Sequence, residues 1–383
     1  MRNLSLVTSA VLLSSTVALA DSNSIKEAFA NGTTSGDITV YYENINNKPK
    51  TSNDSGFVAG SVGLSFQTDT FNGFSAAIGA RAQHEFYERN KSFINDDGVD
   101  TSDYESSFAN DAIIHTAAIK YANDDFFISV GRQEIDLEWL GDYNESIVAG
   151  ITAIPNTTIV LGYTDRQAEI GIDVVEDFEE ISPKGAYVID IKNTSVEGLE
   201  LNPYAYSAPD VADFYGLKVS YDTDMFGATA HYAASNEDSK NLDENNAKVK
   251  DGDIYNLEGR LNVAGIAFAA GYIKTDNNGI GSIAAYGDNI SPFEDGNNTY
   301  EADAKTYYGS IGYEIAGVEL AALYGQTKYD AGTRNEKENE LNLSVGYSFT
   351  EELSASLMYV DYNDKSADNE DYDKVFANVT YSF

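Results

Sequence analysis

KVFANVTYSF, residues 374–383, alternates with a period of two: Val375, Ala377, Val379, Tyr381 and Phe383 share one side. Lys374, Asn378, Thr380 and Ser382 share the other, with Phe376 the one apolar residue among them. That period means a β-strand with one apolar face. Such a face meets either a protein core or lipid, and the rest of the chain discriminates between the two.

Seventeen further segments alternate in the same way, near 36–43, 56–68, 73–86, 112–122, 125–133, 147–153, 158–167, 185–193, 199–206, 214–222, 226–235, 253–263, 266–274, 305–315, 318–327, 338–349 and 353–361. In the third, Phe74, Ala76, Ile78, Ala80 and Ala82 oppose Ser75, Gly79, Arg81 and Gln83. The connections alternate too. Short ones (ANDD, DTDM, AG) take turns with long acidic ones at 87–111, 168–184, 236–252 and 275–304. Short turns at one end and long loops at the other are the asymmetry of an antiparallel up-and-down barrel in an outer membrane. Tyr and Phe sit on the apolar side beside the short turns, among them Phe66, Phe74, Tyr121, Tyr221, Phe226 and Tyr347, as an aromatic girdle would. A soluble sandwich would bury its largest aromatics mid-strand. A membrane strand takes roughly 9–11 residues, so eighteen fit and leave about as many residues for loops. Sixteen strands remain open if 147–153 and 199–206 fail. The opposite face is polar or glycine, and a barrel of about 16–18 strands encloses an aqueous channel.

Composition agrees. With 24 basic and 62 acidic residues the formal charge is −38, which argues against a nucleic-acid partner. Cysteine is absent, excluding disulfides, thiolate metal sites and a cysteine nucleophile. Residues 1–20 have one positive charge, an apolar middle and the small-residue end Ala18-Leu19-Ala20, and read as a secretory signal peptide. Residues 21–35 then form a short periplasmic segment and 36–383 the transmembrane barrel. No later run of about 18 apolar residues exists to make a membrane helix.

Two stretches, ISVGRQEIDLEWLGDYNESIVAGITAIPNTTIVLGYTDRQ (128–167) and LNPYAYSAPDVADFYGLKVSYDTDMFGATAHYAASN (201–236), resemble the Opr family of outer-membrane porins of Gram-negative bacteria. Gly131-Arg132-Gln133 is the most family-like short motif. The resemblance implies eighteen strands, a third external loop folded into the lumen, and passive diffusion of ions and small hydrophilic solutes without a cofactor. It implies contact with outer-membrane lipid and lipopolysaccharide, and in some members a homotrimer. Tyr381 and Phe383 resemble the signal read by the outer-membrane insertion machinery.

On this reading the third loop is 134–146 and supplies Glu134, Asp136, Glu138, Asp142 and Glu145 to the throat. Alternation turns Arg81, Lys120, Arg166, Lys192, Lys218 and Arg260 toward the lumen. Loop acids facing wall cations would set up a transverse field; the alternative for each cation is a salt bridge to an inward acid such as Asp190, Glu200 or Glu258. Arg132 has outward parity but is assigned inward, because an outward Arg is costly away from the interface. Acidic external loops concentrate cations at the mouth, giving a weak cation preference.

NDDGVD (95–100) offers oxygen ligands for calcium but lacks EF-hand spacing and reads as a solvated loop. His84, His115 and His231 sit in no nucleophile motif, and no phosphate loop, dinucleotide fingerprint or HExxH zinc motif occurs. The chain does not read as an enzyme. His115 falls on an outward parity that the alternation leaves unexplained. The competing reading is a barrel-anchored adhesin acting through 87–111 and 275–304.

Overall fold

Eighteen strands hydrogen-bond each to the next and close on themselves. The computed structural model describes residues 21–48, 54–90, 103–242, 246–287, 290–296, 298–332, 335–365 and 371–383. Residues 1–20, read above as a signal peptide, and the acidic run 95–100 lie outside the described residues. The wall is built from β1 (Thr33–Asn47), β2 (Ser55–Gln67), β3 (Phe74–Glu88), β4 (Ala112–Ala122), β5 (Phe126–Glu134), β6 (Tyr143–Ile151) and β7 (Thr157–Ala168). The short β8 (Glu179–Glu180) prolongs the wall beside the end of β7. There follow β9 (Ala186–Val196), β10 (Leu199–Ala208), β11 (Ala212–Asp222), β12 (Phe226–Glu237), β13 (Gly252–Val263) and β14 (Ile266–Thr275). The last five are β15 (Lys305–Ile315), β16 (Val318–Asp330), β17 (Asn335–Ser348), β18 (Leu353–Asp364) and β19 (Tyr372–Ser382).

Every pairing is antiparallel, and β1 pairs with β19 from Asp37↔Ser382 to Asn47↔Tyr372, which closes the cylinder and removes its edges. Both segments on which a count of sixteen depended form strands, though β6 starts four residues earlier than the alternation suggests. β1 likewise starts at Thr33, so the periplasmic segment is shorter than 21–35. It carries the helix α1 (Ile25–Ala30), whose cap Ser24 accepts from the Glu27 N–H. The segment is tied to the β2–β3 turn by Ser22 N–H to the Thr70 carbonyl (2.9 Å) and the Ser22 hydroxyl to Asp69 (2.7 Å).

Ala264-Gly265 and Ala316-Gly317 each hold two positive φ angles (52° and 79°; 53° and 79°), the turn whose twist matches a tight hairpin. The outer face is apolar and exposed: Ile38, Leu64, Ile78, Ile119, Leu257 and Ile311 all point away from the lumen. Aromatics form two outward belts. Phe66, Phe74, Tyr121 and Phe126 lie toward the short turns; Tyr42, Tyr163, Tyr187, Tyr307 and Tyr324 lie toward the long loops. Two belts bracket an apolar band, as a bilayer requires.

Three one-residue β-bulges break the parity of the wall near its outer end. On β3 the extra residue is Phe86, on β4 His115, and on β7 Asp165. Each reverses which side chains beyond it face lipid.

The buried core is inside the cylinder and is made largely by loops. One cluster joins Trp139, Leu140, Ile283 and Phe293 to wall residues Phe214, Ile254 and Ile273. A second joins Tyr104 and Phe108, on or beside the helix α2 (Asp103–Ser107), to Val175 and to Tyr41 and Phe57 of the wall.

Candidate functional site

Besides the second external loop, which carries α2, three external loops turn inward. The third spans 135–142, not 134–146: Glu134 is the last residue of β5 and Glu145 lies inside β6. It is a tight hairpin, with Leu137 N–H donating to the Leu140 carbonyl (3.0 Å) and Ile135 N–H to the Asp142 carbonyl (2.8 Å). Asp142 takes φ 59°, and the Asn144 side-chain amide closes the turn on the Gly141 carbonyl (2.7 Å). Its apolar tip, Leu137, Trp139 and Leu140, is buried against the inner wall.

That tip is locked by polar contacts. The Trp139 indole N–H donates to Tyr204 Oη (2.7 Å), which lies 2.8 Å from His231 Nε2. The Tyr204 hydroxyl thus bridges the indole of the loop and the imidazole of the wall. Lys218 Nζ reaches Glu138 Oε1 at 2.8 Å.

The seventh loop, 276–304, is a strap across the lumen. At β12, Glu237 accepts from the Ser282 N–H and hydroxyl, both at 2.8 Å. At β17, the buried Glu340 carboxylate accepts from the backbone N–H of Glu294 (2.7 Å), Asp295 (3.3 Å) and Gly296 (2.6 Å). At β19, Lys374 Nζ donates to Asp295 (3.0 Å), with Glu43 at 3.7 Å. The Phe293 ring lies where a Cβ on Gly325 would stand, so that wall position needs glycine.

The fourth loop, 169–185, completes the throat. Asp142, Glu169, Asp173, Glu176 and Glu294 converge from the three loops, and the neighbouring carboxylates help to raise the proton affinity of Asp142, Glu169 and Glu294. Asp142 is pushed up to about 6 by its enclosure in the protein and then by Glu176. Enclosure pushes Glu169 up to about 7, with Asp142, Asp173 and Glu176 adding to it. Enclosure likewise lifts Glu294 to about 7, opposed by Lys374 and supported by Asp295 and Asp173. All three carboxyls are nonetheless open to solvent; they stand in lumen water, ringed by protein.

The wall cations are mostly neutralised in place. Arg81 is buried and grips Asp37 with both terminal nitrogens (3.0 and 2.7 Å), with Ser61 at 2.9 Å. Arg260 is held by Asp222 (2.9 Å) and Glu258 (2.6 Å). Lys120 lies over the Phe127 ring at 4.9 Å. Lys192 is on the inner face two residues from Asp190, and among the described residues neither it nor Lys120 has an ion pair. Of the described acids within 135–142, Glu138 alone is ion-paired to a wall cation; Asp136 is exposed. The expected open field between loop acids and wall cations is therefore largely closed into ion pairs.

Two residues assigned to the lumen face lipid instead. Arg166 lies beyond the Asp165 bulge, which reverses its parity, and pairs in register with Glu145. Arg132 pairs with Ala117, itself the partner of outward Ile78. It is stable there because Glu145 neutralises it at 2.7 Å and it stacks on Phe178 at 4.2 Å. The bulge at His115 has the opposite effect: it turns that imidazole inward against Tyr143 (4.5 Å), which removes the unexplained parity. Alternation could have revealed inward Lys374, Glu338 and Glu340. The throat acids of the fourth and seventh loops carry no periodic signal at all.

No curated protein matches the chain. Solved structures share its fold. OccAB1 of Acinetobacter baumannii superimposes with a TM-score of 0.77 at 12% identity, covering 93% of this chain and 97% of that one. OccK9 (OpdG) of Pseudomonas aeruginosa gives 0.77 at 12%, covering 93% and 99%. OccK8 (OprE) of the same organism gives 0.73 at 13%, covering 93% and 99%. The Gram-negative porin family model matches residues 7–383, and the chain belongs to that family: a non-catalytic channel of the bacterial outer membrane through which small solutes diffuse passively.

Proposed function

We propose that this porin is a narrow, cation-preferring channel, gated in size by the third and seventh loops and in charge by the acidic throat. The observation that carries the reading is the convergence of Asp142, Glu169, Asp173, Glu176 and Glu294 where the loops meet. Most wall cations do not offset them, because Arg81, Lys218, Arg260 and Lys374 are already paired with carboxylates, which leaves Lys120 and Lys192 against five throat acids. An excess of fixed negative charge in a confined aqueous path raises the local cation concentration and repels anions. Small hydrophilic solutes that are neutral or positively charged pass best. The adhesin reading loses support, since the seventh loop buries Ile280, Ile283, Ile290 and Phe293 inside the barrel rather than presenting them outward.

The test is the reversal potential in a planar bilayer under a tenfold KCl gradient. A potential of the sign set by potassium supports the reading, and Glu169→Gln with Glu294→Gln should bring it toward zero. A potential of the chloride sign would overturn it. For assembly, a lipid-facing apolar groove of about 630 Å³ lined by Gly259, Phe268, Ala270, Gly309 and Tyr324 offers a surface for a homotrimer. Chemical cross-linking in detergent distinguishes trimer from monomer.

A further inference from the structure

A polar site at the rim of β5, β6 and β7 faces away from the lumen. Arg132, Glu145 and Arg166 form a register row on the outer face of β5, β6 and β7. The next outward row toward the periplasm runs Val130, Ile147, Tyr163 and Tyr187, and its two tyrosines, 5.1 Å apart, belong to the outer aromatic belt. The arginines therefore stand just beyond the apolar band, at the level of the outer-leaflet headgroups.

Their charges do not balance locally. Glu145 sits in register between them, but its carboxylate goes to Arg132, at 2.8 Å from Nε and 2.7 Å from a terminal nitrogen. Arg132 also donates to the Ile114 carbonyl (2.9 Å). Among the described arginines, Arg166 alone has no ion pair, and its Nε is buried without a hydrogen-bond partner. A cavity of about 420 Å³ opens between the two guanidinium groups and is lined also by Asn110, Phe178 and Glu179. A guanidinium with a nitrogen buried and unpartnered is costly, and its fork of donors matches phosphate oxygens.

We propose that this cavity seats a phosphate group of an outer-leaflet glycolipid, with Arg166 the main donor and Arg132 the second. Nearby acids do not block it. Asp177 accepts from Asn110 (2.7 Å), Asp165 accepts from the Tyr163 hydroxyl (3.2 Å), and Glu145 is engaged by Arg132. Glu179 and Glu180 are exposed at the rim, where the divalent counter-ions of a phosphorylated lipid layer meet them. The wall is thereby fastened to the lipid headgroups at β5 and β6, the shortest of its eighteen spanning strands, each 9 residues long.

The experiment is a titration of the full chain in detergent with bis-phosphorylated lipid A, read by native mass spectrometry. Arg166→Gln should weaken retention at least tenfold and Arg132→Gln a few-fold. Arg89→Gln, a rim arginine paired with Asp54, should leave it unchanged. Arg166→Lys keeps the charge without the fork and should fall between parent and Arg166→Gln. Equal binding by Arg166→Gln, or by dephosphorylated lipid A, would overturn the site. Displacement by inorganic phosphate at equal concentration would assign it to a free anion instead. Unchanged single-channel conductance shows that each variant is a folded barrel, so loss of lipid binding is separable from any failure of the cation-channel reading.

Discussion

Gly36 and Phe383 exchange two backbone hydrogen bonds, from the Gly36 N–H at 2.9 Å and from the Phe383 N–H at 3.0 Å. They form the periplasmic end of the seam. A Cβ on Gly36 would stand 2.4 Å from the Gly63 carbonyl and 2.8 Å from the Phe383 ring. Gly36→Val should therefore open the seam, with loss of the compact band seen on gels run without boiling. Phe383→Ala, which removes the ring stacked on Tyr381 at 6.4 Å, should cost about 1 kcal/mol and slow insertion into liposomes.

Trp139 is the one tryptophan in the chain, so its fluorescence reports on the third loop. Tyr204→Phe leaves the indole N–H and His231 without their shared partner. The expected cost is about 1–3 kcal/mol, with a red-shifted emission and larger single-channel conductance as the loop loosens. Unaltered emission would mean that packing alone holds the loop.

Glu340→Ala removes the acceptor for three successive backbone N–H groups of the strap. The seventh loop should detach from β17, and conductance should rise and become noisier. Glu340→Gln keeps the volume, and should give a smaller effect because its amide oxygen still accepts but without charge.

Arg81→Gln leaves Asp37 with no countercharge in a nearly buried setting. A loss of about 3–5 kcal/mol is expected, read as a lower urea midpoint. Arg260→Gln is milder, since Asp222 is largely exposed. It should increase cation preference by freeing the Asp222 and Glu258 charges, and an unchanged reversal potential would count against their place in the ion path.

The throat should titrate near neutrality. Its carboxyls at about 6 (Asp142) and about 7 (Glu169 and Glu294) are raised, so they are neutral in acid and gain charge as pH rises. Cation preference should increase from pH 5 to pH 8. Glu169→Gln with Glu294→Gln should flatten that rise.

The strands were legible because a period of two repeats over many residues, and one misjudged residue does not erase it. Segment 374–383 alone shows five apolar positions in step. The throat was not legible for two physical reasons. Glu169 and Glu294 are placed by loops folding back, which leaves no local pattern. Arg166 and His115 are placed by bulges, and a single extra residue has no compositional mark. Arg132 was misjudged by weighing the cost of lipid without the compensation offered by Glu145 and Phe178.

The bulge at Asp165 has a further consequence for how such channels diversify. Deleting that residue would swing Arg166 through the wall into the water path while leaving the neighbouring ladder intact. Insertions and deletions of one amino acid near the rim are thus a currency of selectivity: they exchange exterior charge for interior charge with no change in strand count or diameter.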